Sequence, residues 1–342
     1  VLLPRVSAPG LNIATRALVE ELALTLEPTN RFTGSSRVSA PGINLQRPAG
    51  WLPALAFRAD LEFDERAIDL SAGLGSIKQG ELFSMSAHYL VDAAELTGRL
   101  RSNNIDFNAT DKRLSGYFAN WPYDWDILKG EIALNTHFVW PGNAQTPTLG
   151  ARIRSEWRNV SGNYAELVFT ELNASAVAEY AFPDKLITPE NAFATLGRLD
   201  VGVPIEDISA SFRINTKRRE LHLPSLEARL FGGRVWTDNS RLRANRASNR
   251  MDIGVDGLQL AQVLEHTGYE AIEATGDLRG LLPLDIGAGG VTMQRGMLAA
   301  RPPGGVFRYR AELATHTNAA LAQLSEVLSN YHYSIFQVEA DY

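Results

Sequence analysis

The chain has 342 residues and a formal net charge of −6, with 45% hydrophobic residues, 21% charged residues and no cysteine. This composition is typical of a folded protein, and the length exceeds what one compact core usually reaches, so we expect two domains or one elongated, repetitive body. The lack of cysteine excludes disulfides, thiol catalysis and cysteine-based zinc sites, and the scattered basic residues of an acidic chain argue against nucleic acid as a partner.

Alternation of apolar and polar residues is the dominant pattern along the chain. It predicts strands with one apolar face at 55–64, 149–158, 208–215 and 251–255, because successive side chains of a strand point to opposite faces. A longer strand is predicted from Ile272 to Ile286, where the same phase persists. The apolar face so defined consists of Leu55, Phe57, Ala59, Leu61, Phe63, Ile153, Trp157, Ile208, Ala210, Phe212, Ile214, Met251, Ile253, Val255, Ile272, Leu278, Leu282, Leu284 and Ile286.

Turn signals separate these runs, among them Ser161-Gly162-Asn163 and Gly232-Gly233. Their spacing of roughly 8–12 residues is that of all-β chains and predicts about two dozen strands. Only two segments have helical periodicity, Leu258–His266 and Asn318–Leu328. We therefore expect an elongated β segment at 1–257 and a C-terminal portion at 258–342 that carries two short helices.

One internal echo is present, since the run Arg5–Asn12 returns with one conservative change as Arg37–Asn44. A period of 32 residues fits a few strands per unit, although one echo does not establish an array. The alternation continues through Phe336 and Val338 to the last residue, so we interpret the sequence as a segment of a longer protein.

Motifs for covalent chemistry are weak. The six histidines are never two or four residues apart, which argues against a zinc site, and Gly287-Ala288-Gly289-Gly290 lacks the lysine of a phosphate-binding loop. We therefore expect no enzyme activity, no metal and no cofactor. Trp121, Tyr123 and Trp125 form an aromatic run with two aspartates, which fits either a sugar-stacking platform or aromatic side chains that cover a sheet edge.

The one-sided apolar faces have two interpretations. They can pack against a second sheet in a sandwich, or the sheet can curl lengthwise, because twisted open sheets beyond about ten strands curl, split or close. A curled sheet gives a U-shaped trough. Such a trough, lined by Leu, Phe, Ile, Val and Ala, would exclude water and hold acyl chains.

From about Thr148 onward the sequence resembles the YdbH-like proteins of the AsmA superfamily, which are bridge-like lipid carriers of Gram-negative bacteria. The order and spacing of several segments carry this resemblance, and no single one is diagnostic. They are 201–210 (VGVPIEDISA), 228–235 (ARLFGGRV), 257–264 (GLQLAQVL), 274–284 (ATGDLRGLLPL) and the stretch from Gly289 to Tyr309.

The resemblance implies a periplasmic protein, anchored to the inner membrane by a segment absent from this chain, that carries phospholipid along an apolar β-groove toward the outer membrane. It further implies a small outer-membrane lipoprotein similar to YnbE as a partner, added by β-strand augmentation at the C-terminal end, and a periplasmic protein similar to YdbL. Two alternatives stay open: a structural or chaperone role in outer-membrane assembly, and a carbohydrate-binding β-protein built around Trp121, Tyr123 and Trp125.

Overall fold

The chain is almost entirely β-structure in the computed structural model, as the alternation predicts. The structure describes residues 2–3, 6–8, 11–15, 17–28, 31–45, 55–76, 80–103, 105–108, 112–117, 121, 123–142, 148–181, 185–268, 272–287, 290–309 and 330–341. Within these residues the strands are β1 (Leu2–Leu3), β2 (Val6–Ala8), β3 (Leu11–Thr15), β4 (Ala17–Leu26), β5 (Phe32–Leu45), β6 (Leu55–Asp64), β7 (Ala67–Ser76), β8 (Gly80–Leu90), β9 (Glu95–Ser102), β10 (Ile105–Asp106), β11 (Trp125–Pro141), β12 (Gly150–Tyr164), β13 (Leu167–Ala181), β14 (Lys185–Ile187), β15 (Ala192–Asp200), β16 (Pro204–Asn215), β17 (Glu220–Leu230), β18 (Gly233–Arg243), β19 (Ser248–Gln259), β20 (Ile272–Ala274), β21 (Asp277–Gly287), β22 (Gly290–Met293), β23 (Gly296–Ala300), β24 (Gly305–Tyr309), β25 (Tyr331–Tyr333) and β26 (Gln337–Ala340).

The chain divides into two compact units. Unit 1 comprises Val1–Ala192 with Asn215–Lys217, and unit 2 comprises Phe193–Ile214 with Arg218–Tyr342. The boundary at 257/258 that the sequence suggests stays a prediction. The all-β class and the expectation of about two dozen strands are confirmed, with 26 strands among the described residues.

Unit 1 is an antiparallel ladder in which most strands pair with their sequence neighbours. The order runs from β4 through β5, β6, β7, β8 and β9 to β11, β12 and β13. Tight turns make this neighbour pairing possible. At the turn between β6 and β7, the Asp64 carboxylate accepts hydrogen bonds from the backbone N–H groups of Arg66 (2.7 Å) and Ala67 (2.8 Å). These bonds favour the charged form and lower the pKa of Asp64.

Unit 2 contains a ladder of β17, β18, β19, β21, β23 and β26, and a separate three-stranded sheet of β20, β24 and β25. The predicted turn at Gly232-Gly233 is confirmed, because Leu230 pairs with Gly233 across a two-residue loop. Both loop residues, Phe231 and Gly232, have positive φ (47° and 74°). This is the geometry that matches the twist of a tight hairpin.

The first predicted helix is present as α1 (Leu260–Thr267), shifted by two residues at its start. It ends at Gly268, which adopts the left-handed conformation (φ 71°) and donates its N–H to the Glu265 carbonyl at 3.3 Å. The only other helical segment among the described residues is a short 3-10 helix, Leu114–Tyr117. The second predicted helix, Asn318–Leu328, lies outside the described residues.

The predicted continuous strand from Ile272 to Ile286 is wrong. It is broken at Thr275-Gly276, and the two pieces, β20 and β21, belong to different sheets. Gly276 has φ 122°, which a residue with a side chain rarely adopts. At the break the Tyr333 hydroxyl donates a hydrogen bond to the Thr275 carbonyl. A side chain from the far end of unit 2 therefore fixes the break.

The predicted turn at Ser161-Gly162-Asn163 is also wrong, because these residues lie inside β12. The ladder to β13 shifts register between Trp157 and Val160 and again between Val160 and Gly162. A β-bulge absorbs an extra residue in this way without ending the strand. The internal echo has different structures in its two copies: Ala8 pairs with Leu11 in an antiparallel β2–β3 ladder, whereas the second copy lies within the single strand β5.

Candidate functional site

Apolar residues form continuous rows across the strands of unit 1. The register places Leu61 opposite Leu70 and Ala59 opposite Ala72, and the pairing continues from strand to strand as far as β13. We call this surface the unit 1 apolar face. One row consists of Leu61, Leu70, Ala87, Gly98, Phe138, Ala151 and Tyr180, and the next consists of Ala59, Ala72, Met85, Leu100, Thr136, Ile153 and Ala178.

On the part of the unit 1 apolar face formed by β6, β7 and β8, burial depends on side-chain size. Ala59 is 1% exposed, and Ala72 and Ala87 are each 8% exposed. Their larger neighbours in the same rows, such as Leu61 and Met85, are only half-buried. A second sheet packed on this face would bury the large side chains first, since these project furthest. Ala59, Ala72 and Ala87 are instead buried by their taller neighbours, which is the pattern of a single layer whose apolar side no other described part of unit 1 covers.

The opposite face of unit 1 is charged. Arg37 and Asp60 pair across β5 and β6, with 2.7 Å between the guanidinium Nε and the carboxylate, and this hydrogen bond raises the pKa of Arg37. His88 and Asp69 lie 2.7 Å apart on β8 and β7. The sheet therefore has one charged, solvent-exposed face and one apolar face, as the alternation predicts.

Local cover is present at one end of the unit 1 apolar face. Phe107 and Tyr117, from the segment between β10 and β11, pack with Ile127, Ile132 and Val160 in a buried cluster. The rings of Phe107 and Tyr117 meet edge to face, with 5.7 Å between centroids. Burial raises the pKa of Tyr117. This end of the face is thus filled by the protein itself.

At the other end, β4 extends the unit 1 apolar face with three leucines that are strongly exposed. Leu22, Leu24 and Leu26 are 66%, 63% and 72% exposed. Leu22 and Leu24 stand opposite Ser36 and Gly34 of β5, which in turn pair with the apolar-face residues of β6. Exposed leucines in register with half-buried rows make a contiguous apolar surface rather than scattered contacts.

Unit 2 has its own apolar face on β19 and β21. Met251 pairs with Leu284 and Ile253 with Leu282, and these four side chains are half-buried. Nearer to α1 the same face is closed: Val255, Leu258 and Leu278 are buried with Leu260, and Val263 and Leu264 of the helix pack against them. The helix therefore covers one end of this face.

The structure brings most of the predicted face residues onto these two surfaces. Phe57, Ala59, Leu61, Phe63, Ile153 and Trp157 lie on the unit 1 apolar face, with Trp157 at its covered end. On β16 of unit 2, Ala210, Phe212 and Ile214 are half-buried, and Ile208 packs against the cluster beneath α1. Ile286 pairs with Asn249 and Val291 at the open end of β21.

Three predicted residues differ from the rest. Val255 and Leu278 are each 2% exposed and belong to the core beneath α1. Ile272 lies in the three-stranded sheet, because the strand that was expected to carry it breaks at Gly276. The side chain of Leu55 lies outside the described part of the chain.

The middle of the unit 1 apolar face is absent from the residues predicted above. The rows continue across β7, β8, β9 and β11 through Leu70, Leu74, Phe83, Met85, Leu100 and Phe138. The signal was present, since Ile68, Leu70, Ala72 and Leu74 alternate with Asp69, Ser71 and Gly73. The same rule of alternation would have found them.

The aromatic run packs on itself. The Trp121 ring lies 5.1 Å from Tyr123 and 4.7 Å from Trp125, edge to face in both cases. The Asp126 carboxylate accepts hydrogen bonds from the backbone N–H (2.8 Å) and the hydroxyl (2.6 Å) of Ser115. These contacts favour the interpretation in which aromatic side chains cover an end of the sheet.

Both units thus present antiparallel sheet with one apolar face that the described residues cover only at one end. These features define an extended antiparallel β-protein with a large exposed apolar surface. The chain belongs to the YdbH-like family, whose model, described as intermembrane phospholipid transport protein YdbH, matches residues 6–342. No match was found among curated proteins or among solved structures.

Family membership defines the general role as lipid transport and implies a location in the cell envelope. It is also consistent with the AsmA superfamily. Among the described residues, no helix has the length and apolar character needed to cross a membrane.

Proposed function

We propose that this protein carries phospholipid by holding acyl chains against the apolar faces of its sheets. The main support is the burial pattern on β6, β7 and β8, where Ala59, Ala72 and Ala87 are buried while larger side chains of the same rows, such as Leu61 and Met85, are only half-buried. A lipid tail on these rows would remove from water the apolar side chains that are only half-buried in the protein. Each methylene removed from water contributes about 0.8 kcal/mol.

The transfer needs no covalent step. A lipid tail makes similar contacts at each position along the rows of aliphatic and aromatic side chains, so it can slide along them. The charged face of the sheet stays solvated. Headgroups stay at the open side of the apolar face, where they keep their hydration. A sheet that curls lengthwise around the tails would shelter them further.

We place this activity in the periplasm, between the inner and outer membranes, with anchoring to the inner membrane. An outer-membrane lipoprotein similar to YnbE would add a strand to β26. Gln337–Ala340 pairs with β23 on one side, and no described strand pairs with its other side, which leaves backbone groups for β-augmentation. A protein similar to YdbL is a further partner that the family resemblance suggests.

Neighbouring residues on β8 provide a matched test. Met85 lies on the unit 1 apolar face and Ser86 on the charged face. Met85→Glu places a carboxylate where tails would lie, so we expect the purified chain to lose most of its co-purifying phospholipid, measured by mass spectrometry of solvent extracts. Ser86→Glu introduces the same charge on the other face and should keep the lipid.

Equal lipid content in the two variants, with both folded by circular dichroism, would contradict the proposal. So would wild-type protein that carries no phospholipid but a stoichiometric peptide, because that result would favour a chaperone that holds client strands.

A further inference from the structure

Four arginines flank a strip of β11 on the charged face of unit 1. Arg101 of β9 and Arg154 of β12 both pair with Asn135 of β11, and Arg99 and Arg152 both pair with His137. The arginines and His137 are exposed. Together Arg99, Arg101, Arg152 and Arg154 form what we call the arginine surface.

The arginine surface is poorly neutralised by the protein. Arg99, Arg101 and Arg154 form no ion pair with any described residue, and Arg152 lies 3.8 Å from Glu179 and 3.9 Å from Glu190, beyond direct hydrogen-bond distance. By contrast, Arg37 on β5 of the same face is closely paired with Asp60 at 2.7 Å. In a chain of net charge −6, a group of under-neutralised arginines indicates a surface that meets an external anion.

Asn135 provides a second observation at the centre of the arginine surface. Its Oδ1 is the one buried side-chain polar atom without a hydrogen-bond partner among the described residues. A buried acceptor without a partner costs about 1–3 kcal/mol. The hydrogen bonds within the described residues therefore leave the centre of the arginine surface incomplete.

The spacing of the arginines fits an extended chain. Arg99 and Arg101, like Arg152 and Arg154, are two residues apart on one strand, a distance of roughly 6.7 Å, and the two pairs are about 9.6 Å apart across β11. An extended segment laid over Asn135 and His137 presents alternate side chains at the same repeat of roughly 6.7 Å. Guanidinium groups bind carboxylates through two parallel hydrogen bonds.

The surroundings limit the width of the ligand. Carboxylates border the arginine surface on the same face, with Glu156 next to Arg154 on β12 and Glu179 opposite Arg152 on β13. Beyond β8, β7 contributes Asp69. A broad anionic membrane would meet these carboxylates, whereas a segment one strand wide would contact only the arginines.

We infer that the arginine surface binds an extended acidic segment of a partner protein. This site is on the face opposite to the apolar rows and does not depend on lipid binding. The partner is defined by chemistry: carboxylates at alternate positions of a segment without fixed helical structure.

The test uses the 342-residue chain and a fluorescent eight-residue peptide of alternating glutamate and threonine, with anisotropy measured at about 50 mM salt, where surface charges are only partly screened. The triple variant Arg99→Gln/Arg101→Gln/Arg154→Gln should weaken binding by about tenfold or more. The control triple variant Arg58→Gln/Arg66→Gln/Arg113→Gln removes the same charge from exposed positions of unit 1 and should weaken it by less than about twofold.

Equal loss in the two triple variants would overturn the inference, because binding would then follow net charge alone. It would also be overturned if the chain failed to bind the peptide but bound phosphatidylglycerol vesicles through the same arginines, which would assign the surface to a membrane. Neither result bears on whether Met85→Glu loses lipid, so the two proposals fail separately.

Discussion

Gly34 allows the large ring of Phe63 to lie flat on the unit 1 apolar face. The Phe63 ring lies over Gly34 of the neighbouring strand, and a Cβ built on Gly34 would lie 2.4 Å from the ring Cζ. The ring therefore lies across the sheet instead of standing upright on it. Aromatic rings commonly cover strand glycines in this way.

Gly34→Ala should destabilise unit 1 by about 1–2 kcal/mol, because the added methyl group overpacks against Phe63. Urea unfolding checks this value. Phe63→Leu in the Gly34→Ala background should recover part of the loss, as expected for residues in contact. Gly150→Ala is the control, since its Cβ would meet only the Val139 carbonyl at 3.9 Å; a similar cost at both glycines would contradict the contact.

Glu220 makes the best-buried ion pair among the described residues. Its side chain is 7% exposed and accepts hydrogen bonds from Arg243 Nε at 2.7 Å and Arg241 Nη1 at 3.4 Å. The bond from Arg243 is the main cause that lowers the pKa of Glu220. The carboxylate links Arg241 and Arg243 of β18 to the start of β17.

Glu220→Gln should lower the free energy of unfolding by about 1–2 kcal/mol at pH 7, because the charged hydrogen bonds to Arg241 and Arg243 are lost. Solvent screening of the partly exposed arginines keeps the effect in this range. A pKa that is lower in the folded state gives stability above the unfolded value of about 4.3, and this stability is lost as the pH falls through the folded pKa. Wild type and variant should therefore converge in acid. Thermal melts from pH 7 to pH 3 measure this difference, and a constant difference over that range would refute the ion-pair explanation.

At the scale of elements, α1 closes one end of the unit 2 apolar face. Leu278 on β21 is 2% exposed beneath the helix, whereas Leu281 on the same strand is 48% exposed on the other face. The two leucines share a strand but lie on opposite faces of it. Substituting each of them therefore distinguishes the stability that comes from burial in the core from the stability that comes from the β-strand propensity of leucine.

Leu278→Ala should destabilise unit 2 by about 2–5 kcal/mol, because it leaves a cavity under α1. Leu281→Ala should cost less than about 1 kcal/mol, because much of that side chain is already in water. Chemical denaturation of the two variants gives the comparison. If the costs were equal, α1 would not be acting as a packed cover.

Strands and turns that are determined by adjacent residues could be predicted from the sequence. The strand at 55–64 matches β6, and the Gly232-Gly233 turn is present, because alternation and turn chemistry depend on adjacent residues. The break at Thr275-Gly276 could not be predicted, because the hydrogen bond that fixes it comes from Tyr333, 58 residues after Thr275 in the chain. At Ser161-Gly162-Asn163, turn-forming residues mark a bulge, which has the same composition as a turn.

The candidate sites show the same limit. The apolar face could be predicted strand by strand, but its rows depend on register, which the sequence does not contain explicitly. The arginine surface could not be predicted, because Arg99 and Arg152 become neighbours of His137 only through the β9–β11–β12 pairing. Along the chain these two arginines are more than fifty residues apart.

At the scale of the whole molecule, each unit combines a covered end with open apolar rows. Aromatic residues of 105–117 cover one end in unit 1, and α1 does so in unit 2. The covered ends supply the packed cores that keep each unit folded, so the open rows need not be buried for stability. The residues that stabilise each unit are therefore different from the apolar residues that we assign to lipid binding.

Site-specific photo-crosslinking to lipid in cells tests this assignment most directly. Crosslinking amino acids at Phe57 and Phe212 sit among half-buried apolar residues, and those at Arg58 and Arg213 occupy the adjacent exposed positions on the other face. We predict phospholipid adducts at Phe57 and Phe212 and few at Arg58 and Arg213. Equal labelling of both faces, or adducts only at the arginine positions, would contradict it.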